Sequence, residues 1–219
     1  MSYSLYLFDL DGTLYDRDKV VAALAIDQYN HFQNDLPGVT KAEYCARLIE
    51  LDAHGYGPKP QVYKQLAVEL GLSNRLQTQL LEHFFTTYNS FVELPEDSRL
   101  TLENLLECNV KLGLVTNGQT AVQSRKIDAL GLLPYFSFTV ISESVGIKKP
   151  DPAIFNYALE QSNARPDQTV FIGDHPENDI AGALNVGMAA IWKKVPYWGL
   201  AEAHADVPAV DNLREILEF

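Results

Sequence analysis

The chain has 219 residues, 47% apolar and 21% charged, ordinary globular usage and enough for one sizeable core plus an inserted module. Asp and Glu number 29 against 17 Lys and Arg, and the resulting net charge of -12 excludes nucleic acid binding by broad charge attraction, because a polyanion is repelled. No run approaches the roughly 18 to 20 uninterrupted apolar residues of a membrane span, and the opening MSYSLYLFDLDG lacks the basic start and apolar run of a signal peptide, so a soluble cytoplasmic protein is expected.

In chain order, short apolar runs at 3–8, 111–115, 138–141, 169–172 and 189–192 each end at turn-forming or acidic residues. Helix-period stretches at 97–107, 121–130, 152–162 and 178–186 alternate with them, the rhythm of a doubly wound, Rossmann-like parallel α/β sheet. Asp151 is the expected N-cap of the third of these helices, with Pro152 pre-setting φ at its first position. One interval breaks the rhythm. Between 16 and 93 there are four amphipathic helical patterns, at 19–32, 41–52, 61–70 and 74–88, and no convincing buried strand. The expected organisation is therefore an α/β core of residues 1–15 and 94–219 with an all-α helical-bundle cap at 16–93, inserted after the first strand. Such an insertion would lie above the carboxyl ends of the strands, where open α/β sheets bind ligands. Cys45 and Cys108 sit in apolar stretches with no His or Cys spaced for a metal, and read as reduced core thiols.

The first strand delivers Asp9 and Asp11, which strand alternation puts on one face with Leu10 on the other. A solvated Asp-Gly turn accounts for Asp11 and Gly12 but not for Asp9 at the edge of the core. Two close carboxylates repel, and a shared proton or a hard cation such as Mg2+ relieves them. Asp174 and Asp179 follow the fourth strand on the same sheet edge, which strengthens the Mg2+ reading. Asp179 serves equally well as an acid at a helix N-terminus. Thr116, Asn117 and Gly118 end the second strand as a seat for phosphate oxygens, and Lys149, held in a loop beside two prolines, can balance negative charge.

These four clusters, Asp9-Leu10-Asp11-Gly12-Thr13, Thr116 with Asn117-Gly118, Lys149-Pro150-Asp151-Pro152 and Gly173-Asp174 with Asp179, resemble the signatures of the haloacid dehalogenase-like superfamily in their order. The likeness is to its phosphatase branch with a helical cap after the first strand, subfamily IA, which includes nucleotide monophosphatases and N-acylneuraminate-9-phosphatases. The resemblance implies a central first strand and hydrolysis of a small phosphorylated substrate. Asp9 would be the nucleophile and Asp11 the acid and base. Mg2+ would be held by Asp9, the Asp11 backbone carbonyl and Asp174, with Asp179 orienting the metal shell or Lys149. Thr116, Asn117 and Lys149 would hold the phosphoryl oxygens. Within the superfamily, Asp11 argues against dehalogenation and phosphonate hydrolysis, while a sugar-phosphate mutase shares every signature. A non-enzymatic phospho-acceptor is the reading from another class, and the insertion argues against it; a catalytically inert binding module is disfavoured because Asp9, Asp11, Lys149 and Asp174 are all present. Specificity is expected from the 54–58 loop: Gly57-Pro58 alone reads as a turn, but His54 and Tyr56 offer a hydrogen-bonding edge and a stacking face. Arg17 is a second, weaker candidate for substrate contact.

Overall fold

The computed structural model describes residues 3–219, and the chain divides into two compact units, one running up to Tyr15 and resuming over Glu93–Phe219, the other formed by Asp16–Val92. In the first unit, β1 (Leu5–Phe8) is followed, after the helical unit, by α5 (Glu96–Glu107), β2 (Lys111–Thr116), α6 (Thr120–Ala129), β3 (Phe138–Ile141), α7 (Ser142–Val145) and α8 (Pro152–Ser162). Then come β4 (Thr169–Gly173), a π-helical segment (Pro176–Ala181) running into α9 (Gly182–Asn185), β5 (Ala189–Lys193) and the short β6 (Ala209–Val210). All strands are parallel, in the order β3-β2-β1-β4-β5-β6, with β1 between β2 and β4. Every residue of β1 and β4 is buried, as strands covered on both faces require, and Thr169 among them donates from its hydroxyl to the Arg165 carbonyl at 2.9 Å. Strand order reverses between β1 and β4, so the crevice at their carboxyl ends is the place where this topology accepts ligands.

Asp151 caps α8 as expected, its side chain accepting from the Ala153 N–H at 2.9 Å. Three features of the first unit were not anticipated: β6, α7, and a 3-10 helix over Leu213–Glu218 that packs on α5. Both thiols are free, as expected, but the core placement needs correction: Cys45 is half-buried and Cys108 is exposed. Cys108 is the C-cap of α5, whose core face is taken by Leu102 and Leu105.

The helical unit contains α1 (Arg17–Phe32), α2 (Lys41–Asp52), α3 (Lys59–Glu69) and α4 (Asn74–Thr87). Asp16, Thr40 and Ser73 cap α1, α2 and α4 by accepting backbone N–H groups, and Thr40 with Glu43 forms a reciprocal capping box. The buried Gln28 amide joins all four helices: its Nε2 donates to the Leu80 carbonyl at 2.7 Å, and its Oε1 accepts from Tyr44 and Tyr63 hydroxyls at 2.9 and 2.8 Å. Among the described residues no helix is long and apolar enough to cross a membrane.

Replacing Gln28 by Met keeps the volume and removes three hydrogen bonds, orphaning two buried hydroxyls and a carbonyl. An orphaned buried group costs about 1–3 kcal/mol, so Gln28→Met is expected to destabilise the chain by at least about 2 kcal/mol. Chemical denaturation measures it, and an unchanged midpoint would mean that water or rotation satisfies those groups.

Candidate active site

The β1–β4 ladder continues one residue past the strand, the Asp9 N–H donating to the Ile172 carbonyl at 2.9 Å, which fixes Asp9 beside the end of β4. Asp9, Asp174 and Asp179 are all buried, and each offers a carboxylate oxygen within 4.8 Å of the others. Two glycines make this approach possible. Gly12 has φ +84°, and a Cβ there would stand 2.5 Å from Asp174 Oδ2; at Gly173 a Cβ would meet the Asp179 Cβ at 2.4 Å.

The buried Lys149 places Nζ 2.6 Å from Asp9 Oδ1 and 2.7 Å from Asp179 Oδ1. Asn117 holds that lysine by its backbone, donating from Nδ2 to the Lys149 carbonyl and accepting the Lys149 N–H at Oδ1, both at 2.9 Å. The Asn117 side chain, expected among the phosphate-holding groups, is thus committed at both ends to positioning Lys149. Asp179 Oδ2 accepts the His175 N–H at 3.0 Å, and His175 Nδ1 in turn accepts from the N–H groups of Glu177 and Asn178, capping the π-helical segment. Burial holds the His175 imidazole below its ordinary pKa, in keeping with a neutral ring that accepts.

Three carboxylates and one ammonium leave an excess of negative charge in a buried place. Burial pushes Asp9 up to about 7, with Lys149 opposing the rise and Asp179 adding to it. Burial also pushes Asp174 up to about 9, reinforced by Asp179 and Asp9. For Lys149 burial opposes the charge, but Asp179 and Asp9 outweigh it and hold its pKa above the ordinary lysine value. An excess of buried carboxylate oxygen with hard donors only is the environment a divalent cation such as Mg2+ fits.

Asp11 belongs to a different network. Its carboxylate accepts from Lys126 Nζ at 2.7 and 2.9 Å, from Gln123 Nε2 at 2.8 Å and from the Tyr15 hydroxyl. The carboxylates gathered in one cluster are therefore Asp9, Asp174 and Asp179, and the Asp11 side chain is not part of it. Thr116, buried at the end of β2, accepts from the same Gln123 Nε2 at 2.6 Å. Sequence reasoning missed Lys126, Gln123 and Tyr15. The available signal was the three-residue spacing of Gln123 and Lys126 on the helix that follows Thr116, which puts both on one face.

The three specificity candidates lie in the helical unit and share one local structure. Arg17 is buried, with Nη1 2.6 Å and Nη2 3.0 Å from the Asp52 carboxylate. Burial opposes ionisation of Asp52, yet Arg17 and Lys59 hold it below the usual carboxylate value. The loop leaves α2 through left-handed Ala53 and His54, tied down by the Gly55 N–H on Asp52 at 3.0 Å and by His54 Nδ1 at 2.6 Å from Asp18. Tyr56 is exposed at its tip.

The chain belongs to the haloacid dehalogenase-like hydrolase family, whose sequence profile matches residues 6–193. Among relatives, the pyrimidine 5'-nucleotidase of Escherichia coli is 37% identical over 132 residues, 58% of this chain and 58% of that protein's own length. The glyceraldehyde 3-phosphate phosphatase of Pyrococcus furiosus is 32% identical over 193 residues, 85% of this chain and 79% of the relative. Among solved structures, a magnesium-bound hydrolase of the family from Bacillus subtilis shares the fold with a TM-score of 0.78 at 24% identity, covering 100% of this chain and 98% of that one.

Asp9 and Asp174 bind protons more tightly in the folded chain than in the unfolded one, from the ordinary 3.8 up to about 7 and about 9 respectively. Their stabilising contribution is complete below that window and is lost as pH rises through it. Metal-free protein is accordingly expected to lose stability between about pH 5 and 9, with a shallower decline in Asp174→Asn. Denaturant titrations across that range check it, and a rise in stability would contradict it.

Proposed function

We propose that the protein is a Mg2+-dependent phosphomonoester hydrolase acting on a small phosphorylated metabolite, a nucleoside monophosphate or a sugar phosphate, through an aspartyl-phosphate on Asp9. The observation that carries this reading is the buried Asp9, Asp174 and Asp179 cluster with a single lysine at the carboxyl ends of β1 and β4. The names of the relatives support the substrate class: one acts on pyrimidine 5'-nucleotides and another on glyceraldehyde 3-phosphate. In this reading residues 1–15 and 94–219 carry the chemistry, and residues 16–93 choose the substrate, with the loop bearing His54 and Tyr56 as the selecting element.

Asp9, the Asp11 backbone carbonyl and Asp174 would hold the cation, which supplies positive charge against the phosphoryl oxygens. Lys149 grips Asp9 Oδ1 and so sets the rotation of the nucleophile. A carboxylate oxygen of Asp9 attacks phosphorus, the bond to the leaving oxygen breaks, and Asp11 gives that oxygen a proton. Asp11, now ionised, takes a proton from water as the water oxygen attacks the same phosphorus, releasing inorganic phosphate and restoring Asp9. Thr116 and Lys149 orient the phosphoryl oxygens through both steps, and Asp179 keeps Lys149 in place.

Asp9→Asn is expected to leave less than about a hundredth of wild-type turnover on a panel of phosphomonoesters, given the 10²- to 10⁴-fold worth of one catalytic group. A larger residue of activity would favour direct attack by water. Excess chelator should abolish turnover and Mg2+ restore it; full activity in chelator would overturn the metal requirement. Lys149→Ala should weaken binding of a phosphoryl analogue such as tungstate, measured by calorimetry, and an unchanged affinity would move the anion-holding role elsewhere.

A further inference from the structure

The reaction proposed above needs Asp11 to carry a proton, and the structure surrounds Asp11 with donors instead. Lys126 Nζ touches both of its oxygens, Gln123 adds a bond to Oδ2 and Tyr15 one to Oδ1. A carboxyl that accepts on both oxygens from an ammonium group is ionised and has no proton to give. These partners are built in: Lys126, Gln123 and Tyr15 are all buried, and a buried lysine on the inner face of a helix needs a fixed counter-charge. Neither the expected signatures nor the acidic cluster assigns them a task.

We propose that Lys126, with Gln123 and Tyr15, is a latch that holds the Asp11 carboxylate outside the Asp9–Asp174–Asp179 cluster in the resting enzyme, and that Asp11, once off the latch, takes up a proton from solvent water, gives it to the leaving group, and releases to solvent the proton it later takes from the attacking water when it returns to Lys126. The inference rests on the phosphatase reading. Lys126 is a positioning residue here, since it acts through Asp11 and not on substrate. Gln123 supplies the link to substrate arrival. Its Nε2 donates to Thr116 Oγ1 at 2.6 Å and to the Asn117 carbonyl at 3.2 Å as well as to Asp11, so three acceptors compete for two hydrogens. A phosphoryl oxygen that engages the Thr116 hydroxyl redistributes those hydrogens and weakens the hold on Asp11. The closed latch lowers the competent fraction of enzyme for every ester whose leaving oxygen needs a proton, and leaves esters that need none unaffected.

The test compares kcat/KM for an alkyl phosphate, whose leaving oxygen requires protonation, with that for 2,4-dinitrophenyl phosphate, whose leaving group departs as a stable anion. Lys126→Met is expected to raise the alkyl-to-aryl ratio on the order of tenfold, the worth of one charge-assisted hydrogen bond, while Lys126→Arg keeps the wild-type ratio. Poor folding lowers both rates together and cancels in the ratio. A ratio that stays constant or falls in Lys126→Met overturns the latch, a fall meaning that the lysine holds Asp11 in its working position. Crystal structures of the Mg2+-loaded wild type with and without vanadate give a readout independent of rate. Asp11 should sit on Lys126 without the oxyanion and leave it when vanadate occupies the site; Asp11 still on Lys126 in both overturns the proposal. A wild-type enzyme that cleaves neither ester overturns the phosphatase reading and the latch with it, whereas an active enzyme with an unmoved ratio overturns the latch alone.

Discussion

The constraint on which this site depends is the burial of three carboxylates around one ammonium group. Like charges at such separations are tolerated only when geometry is imposed on them, and the sheet imposes it. Asp9 is placed by the last rung of the β1–β4 ladder, Asp174 by the residue after β4, and Asp179 by the π-helical turn that His175 caps. The fully buried β1 and β4 supply the packing that holds these positions against the repulsion. Glycines at 12 and 173 admit the carboxylates where any side chain would collide. Asn117 closes the frame from β2 by fixing the backbone of Lys149, so the single compensating charge is as constrained as the charges it compensates.

The helical unit obeys a different logic, because its order comes from its own interior. Gln28 satisfies its amide with groups from all the other helices of the bundle, and the apolar residues around it, Leu24, Leu66 and Phe84 among them, are buried. The 52–59 stretch is likewise organised by one buried acid. Asp52 receives Arg17, Lys59 and the Gly55 N–H, which converts a Gly- and Pro-rich segment from a slack turn into a loop of defined shape. Arg17, the weaker candidate for substrate contact, pairs in this structure with Asp52 through both terminal nitrogens and so braces that loop.

What was legible in the sequence followed from short-range rules. Apolar runs ending in Asp, Thr or Gly marked the strands, and Asp151-Pro152 marked a helix start, because each depends on neighbours two or three residues away. Strand alternation also put Asp9 and Asp11 on one side of a chain, but that holds only while the strand lasts. β1 ends at Phe8, and the turn through Gly12 frees the two side chains to take separate partners. Two partners of Asp11, Gln123 and Lys126, lie 112 and 115 residues away on α6, and a lone Lys or Gln on a helix looks the same in sequence whether it faces water or an acid. β6, with two residues, is too short to carry a period, and Cys108 was misplaced because an apolar neighbourhood in sequence does not reveal which face of α5 runs out at its C-cap.

The two networks together explain why the site contains two buried lysines and not one. Four carboxylates, Asp9, Asp11, Asp174 and Asp179, face Lys126 and Lys149, so the protein's own charges fall short of neutrality by the charge of one divalent cation. Were a single lysine shared by all four, any movement of Asp11 would disturb the counter-ion of Asp9. Separate counter-ions remove that conflict. Lys149 stays with Asp9 and Asp179, groups held by backbone contacts on β1 and the π-helical turn, while Lys126 stands on α6 beside Asp11, the acid that the proposed latch would release. Gln123 contacts both Asp11 and the Thr116 hydroxyl, so in the proposed reaction a phosphate on Thr116 and the acid on Lys126 would communicate through a neutral group that can exchange acceptors without leaving a charge uncompensated.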